Sequence, residues 1–187
     1  MVPVIFFDLD ETLIFAHNWM FDVDPRIRIK SAINRMEGST DETKLRIALR
    51  YRRELEMFET APIIRLGIGA TFSIQVLDGT FEEVRRAGQF AELHIFTAAA
   101  PEYAEAALTA TGLRPYFQSV ISLTETEIEP LAYLPPLKNR PWVLIDDTPA
   151  KDKLKVLRSV QPEGHLVRHT NSLAESVDKA LILLEAY

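Results

Sequence analysis

Short apolar blocks separated by amphipathic stretches run through most of this chain. Residues 4–7, Val-Ile-Phe-Phe, form an unbroken run of β-branched and aromatic residues that stops abruptly at Asp8. The run has strand length and no alternation, which predicts a central strand covered on both faces. Comparable short strands are predicted at Glu92–Phe96, ahead of Thr97, at Ser119–Ser122, at Trp142–Ile145, ahead of Asp146, and at His165–Arg168. Helical stretches alternate with them. Thr80–Ala87 ends near Gly88, and Pro101–Thr111 carries proline at its start and Gly112 just past its end, the asymmetry expected of a helix. A helix over Pro149–Ser159 follows Thr148 as N-cap, and the last helix opens on Ser172 with Glu175 in a capping-box pattern. Strands alternating with helices predict βαβ units, hence an α/β chain with a doubly wound parallel sheet.

The stretch after the first strand breaks this rhythm. Phe15 to Thr60 holds nine basic and eight acidic residues, a net of +1, leaving 12 basic against 19 acidic elsewhere. Ser39 with Glu42 reads as a capping box, and Leu45, Ala48, Leu49, Leu55 and Phe58 share one helical face, predicting a helix from Asp41 to Glu59. Two β-rich runs then flank Gly67-Ile-Gly69, which predicts a hairpin over residues 61–78. The expected organisation is one domain over 1–187, with 17–60 as a small cap-like insertion.

Composition narrows the function. With 47% hydrophobic residues in 187, the chain can bury a core of its own. A net charge of −6 disfavours nonspecific nucleic-acid or anionic-membrane binding as the main role. The absence of cysteine excludes disulfides, thiolate catalysis and cysteine-based zinc sites. No basic lead precedes the first apolar stretch, and no apolar run approaches the ~18 residues of a membrane span. A soluble, cytoplasmic protein is the expectation, with no membrane partner.

Three predicted strands end in residues capable of chemistry: Asp8 and Asp10, Thr97, and Asp146 and Asp147. Parallel strands bring their carboxyl ends to one rim, where ligands of open α/β sheets bind. Several carboxylates facing one another cannot all stay ionised without a cation. All-oxygen ligands favour Mg²⁺, held by one or two carboxylates with water and substrate phosphate. The Thr97 hydroxyl and the amides opening the Pro101 helix suit a phosphate. One carboxylate can attack phosphorus while another serves as general acid and base.

These motifs carry a resemblance. Asp8-Leu-Asp10-Glu-Thr12-Leu, Ile95-Phe96-Thr97-Ala98-Ala99 and Leu144-Ile145-Asp146-Asp147-Thr148-Pro149 resemble motifs I, II and IV of the haloacid dehalogenase-like phosphatases. The similarity is greatest to the branch of small C-terminal-domain phosphatases and NLI-interacting factors. It covers the first 14 residues and Pro62 to the end, with no counterpart around 17–60. The resemblance implies a Rossmann-like sheet and a Mg²⁺-dependent phosphoric monoester hydrolase. In it Asp8 is the nucleophile and Asp10 the acid and base, with its backbone carbonyl on the metal. Thr97 binds the phosphoryl group, and Asp8 and Asp146 bind Mg²⁺ with Asp147 in support. A phosphorylated substrate is implied, whether small molecule, phosphoprotein or nucleic-acid end.

The family's third motif supplies a lysine, and here the sequence departs from the pattern. Thr124-Glu-Thr-Glu-Ile-Glu-Pro holds three glutamates and no lysine. Lys138 precedes the strand to Asp146, which at about 3.3 Å per residue sets it some 13 Å from the rim. Lys151, in the first turn of the next helix, starts on the correct side and is the candidate phosphate ligand, although a solvated helix face shared with Lys153 and Lys155 is the plainer reading. The gap sustains a second hypothesis, a catalytically impaired module that binds phosphorylated partners. A response-regulator receiver domain fits less well, since no aspartate ends a strand in the middle of the chain. His94 reads as a packed core residue and His17 as structural, while Trp19 and Phe21 suit either a pocket or an anchor.

Overall fold

A computed structural model describes residues 2–19, 25–37, 39–67, 70–128, 130–148, 151–170 and 172–186. The side chains of His17, Trp19, Arg50, Arg53 and Phe58, and residues Phe21, Gly69 and Pro149, lie outside the described set. In chain order the elements are β1 (Val4–Phe7), β2 (Ile14–Trp19), α1 (Pro25–Glu37), α2 (Glu42–Thr60), β3 (Ile63–Arg65), β4 (Thr71–Val76), α3 (Thr80–Ala87), β5 (Glu92–Thr97) and α4 (Pro101–Thr111). A short 3-10 turn, Arg114–Tyr116, leads to β6 (Ser119–Ser122), α5 (Leu123–Ile128), α6 (Pro130–Tyr133), β7 (Trp142–Asp146), α7 (Lys151–Val160), β8 (His165–Arg168) and α8 (Leu173–Glu185).

Two compact units result. The larger joins Met1–Phe15 to Val76–Tyr187, and the smaller is Ala16–Gln75. In the larger unit five strands pair in parallel in the order β6-β5-β1-β7-β8. This is the α/β doubly wound sheet that the alternation predicts. β1 lies at its centre because all four of its residues are fully buried, as its unbroken apolar run requires. Phe6 packs edge-on against Phe96 and Trp142, with centroids 6.1 and 6.5 Å away. Leu144, Leu157 and Ile121 complete that side of the core. Phe7 pairs in register with Ile95 of β5 and with Ile145 of β7. Asp8, Thr97 and Asp146 therefore leave the sheet at the same edge. His94 is buried between Ser119 and Glu92, a packed residue as expected.

The helix boundaries are mostly those of the pattern, with local differences. α4 has Pro101 in its first turn and Gly112 as a left-handed C-cap at φ 76°, a conformation that glycine adopts without a Cβ penalty. The N-cap of α2 is Asp41, whose carboxylate accepts from the Thr43 amide. Ser39 instead accepts from the Asp41 amide, so the Ser39–Glu42 box does not form. Ser172 caps α8 through its backbone and makes no side-chain cap bond. On α2, Ala48 is buried while Leu45 and Leu49 are exposed. In the smaller unit α1 packs on α2, and β3 runs antiparallel to β4 in a three-stranded sheet of order β2-β4-β3. Among the described residues no helix is long and apolar enough to cross a membrane.

Candidate active site

A cleft of about 450 Å³ opens at the carboxyl edge of the large sheet. Its lining includes Asp8, Asp10, Thr97, Asp146, Asp147, Lys151 and Lys153. Asp8 is the first residue past β1, and its amide donates to the Ile145 carbonyl at 2.9 Å. The chain then turns sharply. Glu11 has φ 61°, and the Leu13 and Ile14 amides both donate to the Leu9 carbonyl. With this turn the chain folds back beyond the end of β1, and Asp10 lines the same cleft as Asp8.

Lys153 is the residue that the sequence reading missed. Its ammonium donates to Asp8 Oδ1 at 2.6 Å and to Asp146 Oδ2 at 2.7 Å. It is buried, whereas Lys151 on the same helix is exposed. Its assignment to a solvated face is thus corrected. The signal was present: Lys153 and Leu157, the buried residues of α7, are spaced i, i+4, with half-buried Val160 at i+7. Lys138 is not among the cleft-lining residues.

The remaining polar atoms are arranged around this pair. Asp146 Oδ1 accepts from the Thr148 amide at 3.0 Å, and the Thr148 hydroxyl donates to Asp147 Oδ2. Thr97 is buried and its Oγ1 accepts from the Ala99 amide at 3.1 Å. The helix N-cap is Ala100 rather than Thr97. The hydroxyl proton of Thr97 remains to be donated to a ligand. Asp10 Oδ1 accepts from the Tyr103 hydroxyl at 2.6 Å, a contact for which the sequence carries no signal.

Burial dominates the electrostatics. It pushes the Asp8 carboxyl up to about 6, even though Lys153 favours the charged form, with Asp146 opposing. Asp10 is also raised by burial, with the Tyr103 bond acting against it. Six carboxylates against two lysines line the cleft, Asp8, Asp10, Glu11, Asp146, Asp147 and Asp152 against Lys151 and Lys153, which leaves it short of positive charge. Asp8, Asp146 and Asp147 offer oxygens within 4.8 Å of one another. An all-oxygen set of this charge fits a hard divalent cation.

No protein-family model matches this sequence, and no curated protein does. Solved structures do match it. A haloacid dehalogenase-like family hydrolase from Xanthomonas campestris aligns with a TM-score of 0.52 at 14% identity, over 99% of this chain and 97% of that one. The fold is that of the haloacid dehalogenase-like hydrolases. A hydrolase of the same description from Streptococcus pneumoniae aligns at 14% identity and a TM-score of 0.47, covering 95% of this chain and 98% of that one. Fcp1, an RNA polymerase II CTD phosphatase, aligns at 19% identity and a TM-score of 0.49 over 99% of this chain. This chain spans about half the length of Fcp1. Within the haloacid dehalogenase-like fold, the cleft occupies the carboxyl edge where Asp8, Thr97 and Asp146 meet.

Proposed function

We propose that this protein is a Mg²⁺-dependent phosphatase that hydrolyses phosphate monoesters through an aspartyl-phosphate on Asp8. The observation that carries the proposal is Lys153 bridging Asp8 and Asp146 in a cleft that Asp10 also lines. A buried lysine between two carboxylates screens the approach of a dianionic phosphate to an anionic nucleophile. Lys153 supplies the positive charge whose absence motivated the impaired binding module.

The chemistry follows from the residues. The Asp8 carboxylate attacks phosphorus, an O–P bond forms, and the ester P–O bond breaks. Asp10 donates its proton to the leaving oxygen. In the second half, Asp10 takes a proton from a water attacking phosphorus, the bond to Asp8 breaks, and phosphate leaves. Thr97 donates its hydroxyl to the phosphoryl group throughout. Asp8, Asp146 and Asp147 are the residues that would hold Mg²⁺, with Asp10 contributing through its backbone. A bound Mg²⁺ supplies Lewis-acid charge stabilisation to the phosphoryl oxygens.

Kinship with the small C-terminal-domain phosphatase branch belongs to the same reading, supported by the order and spacing of the three motifs. So does a cytoplasmic location, which an acidic, cysteine-free chain suits. Residues 17–60 are read as a substrate-selecting cap, supported by their position after the first motif and by the separate compactness of residues 16–75. A screen of phosphorylated metabolites, phosphopeptides and phosphate-terminated oligonucleotides identifies the substrate class. The mechanism is tested by phosphate release from p-nitrophenyl phosphate. Release is expected to need Mg²⁺, to stop with a chelator, and to vanish in Asp8→Asn. Turnover that survives Asp8→Asn sinks the nucleophile assignment.

A further inference from the structure

Asp10 occupies a tight turn beyond the end of β1, and no regular element of its own holds its side chain. A carboxylate there can populate several staggered χ1 wells. The contact that selects one of them comes from far along the chain. Tyr103, 93 residues away on α4, donates its hydroxyl to Asp10 Oδ1 at 2.6 Å. Tyr103 is itself 7% exposed, and Ala104, Ala107 and Leu108 on the same helix are fully buried. The phenol is therefore carried on a packed element and moves little. Pro101, in the first turn of α4, starts the helix two residues before Tyr103 and fixes where its ring emerges.

We infer that Tyr103 is a positioning residue for proton transfer: by donating to Asp10 Oδ1 it holds the carboxyl toward the cleft and leaves Oδ2 to carry the transferable proton. The inference rests on the phosphatase reading above. In the first half-reaction the ester P–O bond breaks and its electron pair goes to the leaving oxygen. That oxygen takes the proton from Asp10 Oδ2, and Asp10 becomes a carboxylate. The Tyr103 bond is then charge-assisted and stronger than it was to the neutral acid. A hydrogen bond that strengthens as charge develops lowers the barrier, whereas one of constant strength does not.

The competing account is that Tyr103 is a core residue whose hydroxyl simply takes an available acceptor. Leaving groups separate the two. An alkyl phosphate needs its leaving oxygen protonated, while a dinitrophenyl phosphate departs readily as the anion. The value of kcat/KM reports the steps up to Asp8 phosphorylation, so it isolates the acid role. Tyr103→Phe keeps the ring and the packing. It is expected to lower kcat/KM for the alkyl ester about 100-fold, the low end of general acid catalysis, and to leave the dinitrophenyl ester nearly unchanged. Asp10→Asn is expected to show the same selectivity for leaving group, with no further loss when Tyr103→Phe is added.

Equal losses on both esters, or no loss on either, overturn the inference. Strictly additive losses in the double variant overturn it as well. A crystal structure of Tyr103→Phe gives a readout that does not depend on turnover. Displacement of the Asp10 carboxylate supports positioning, and an unchanged rotamer refutes it. Wild-type protein inert toward both esters defeats the phosphatase reading itself, a result distinct from an active enzyme whose Tyr103→Phe variant lacks leaving-group selectivity.

Discussion

Lys153 is 5% exposed and bonded to two carboxylates that are themselves buried. Truncating one partner of such a cluster leaves the others uncompensated, which is costlier than replacing all of them. Lys153→Met is expected to lower kcat by roughly 10²–10³-fold, the range for removing a charge-stabilising donor. Lys151→Met, at an exposed position of the cleft lining, is expected to lower kcat far less. Steady-state assays on one aryl phosphate compare the two. His94 provides a pH test. Burial holds its imidazole below the usual value of 6.5, with Glu92 opposing and Arg140 contributing to the depression. The unfolded chain therefore binds this proton before the folded one does, so stability falls as pH drops below about 6.5 and levels off under the folded value. The raised Asp8 acts with the opposite sign and is common to both proteins compared. Wild type is expected to lose more melting temperature than His94→Gln between about pH 7 and about pH 5.

β1 and β7 were legible because each is a strand buried on both faces, and such strands announce themselves as unbroken apolar runs. α3 and α4 were legible from turn and cap residues. α1, α5 and α6 were not, since α5 and α6 are short and α1 is punctuated by charge. The capping boxes at Ser39 and Ser172 show the limit of a local rule. A rival donor–acceptor pair one or two residues away takes over the first, and the second closes through backbone alone. One connection shows how tightly elements are fitted. Between α7 and β8, a Cβ on Gly164 would lie 2.0 Å from Trp142 Cε2. Trp142 cannot yield easily, because it is fully buried and its indole N–H donates to the Gln161 carbonyl. Gly164→Ala is expected to destabilise the protein by about 1–3 kcal/mol, the usual cost of overpacking. Urea unfolding measures it.

The larger unit is discontinuous in sequence, closed by Met1–Phe15 and Val76–Tyr187. The points of departure and return are tied together within it. The Leu77 amide and the Thr80 hydroxyl both donate to the Leu13 carbonyl, at 3.0 and 3.1 Å. A short flexible linker replacing residues 16–75 therefore closes a small gap at little entropic cost. The shortened chain is expected to unfold in one cooperative transition and to retain hydrolysis of a small aryl phosphate, with altered preference among larger substrates. Thermal melts followed by circular dichroism, beside the substrate screen, check both halves. A shortened chain without cooperative unfolding counts against the independence of the larger unit.

The rim of the sheet was written locally. Asp8, Thr97 and Asp146 each follow a short apolar strand, and parallel pairing alone carries them to one edge. Asp10 needed only a turn. The positive charge and the second-side support of Asp10 were not local. Lys153 reaches Asp8 across 145 residues and Tyr103 reaches Asp10 across 93. A helix pattern records which side chains are apolar, not which neighbour a polar one meets once the helix packs. Where a lone lysine or tyrosine shares a buried stripe, its partner is set by the element lying opposite, and that is decided only when the sheet and helices assemble.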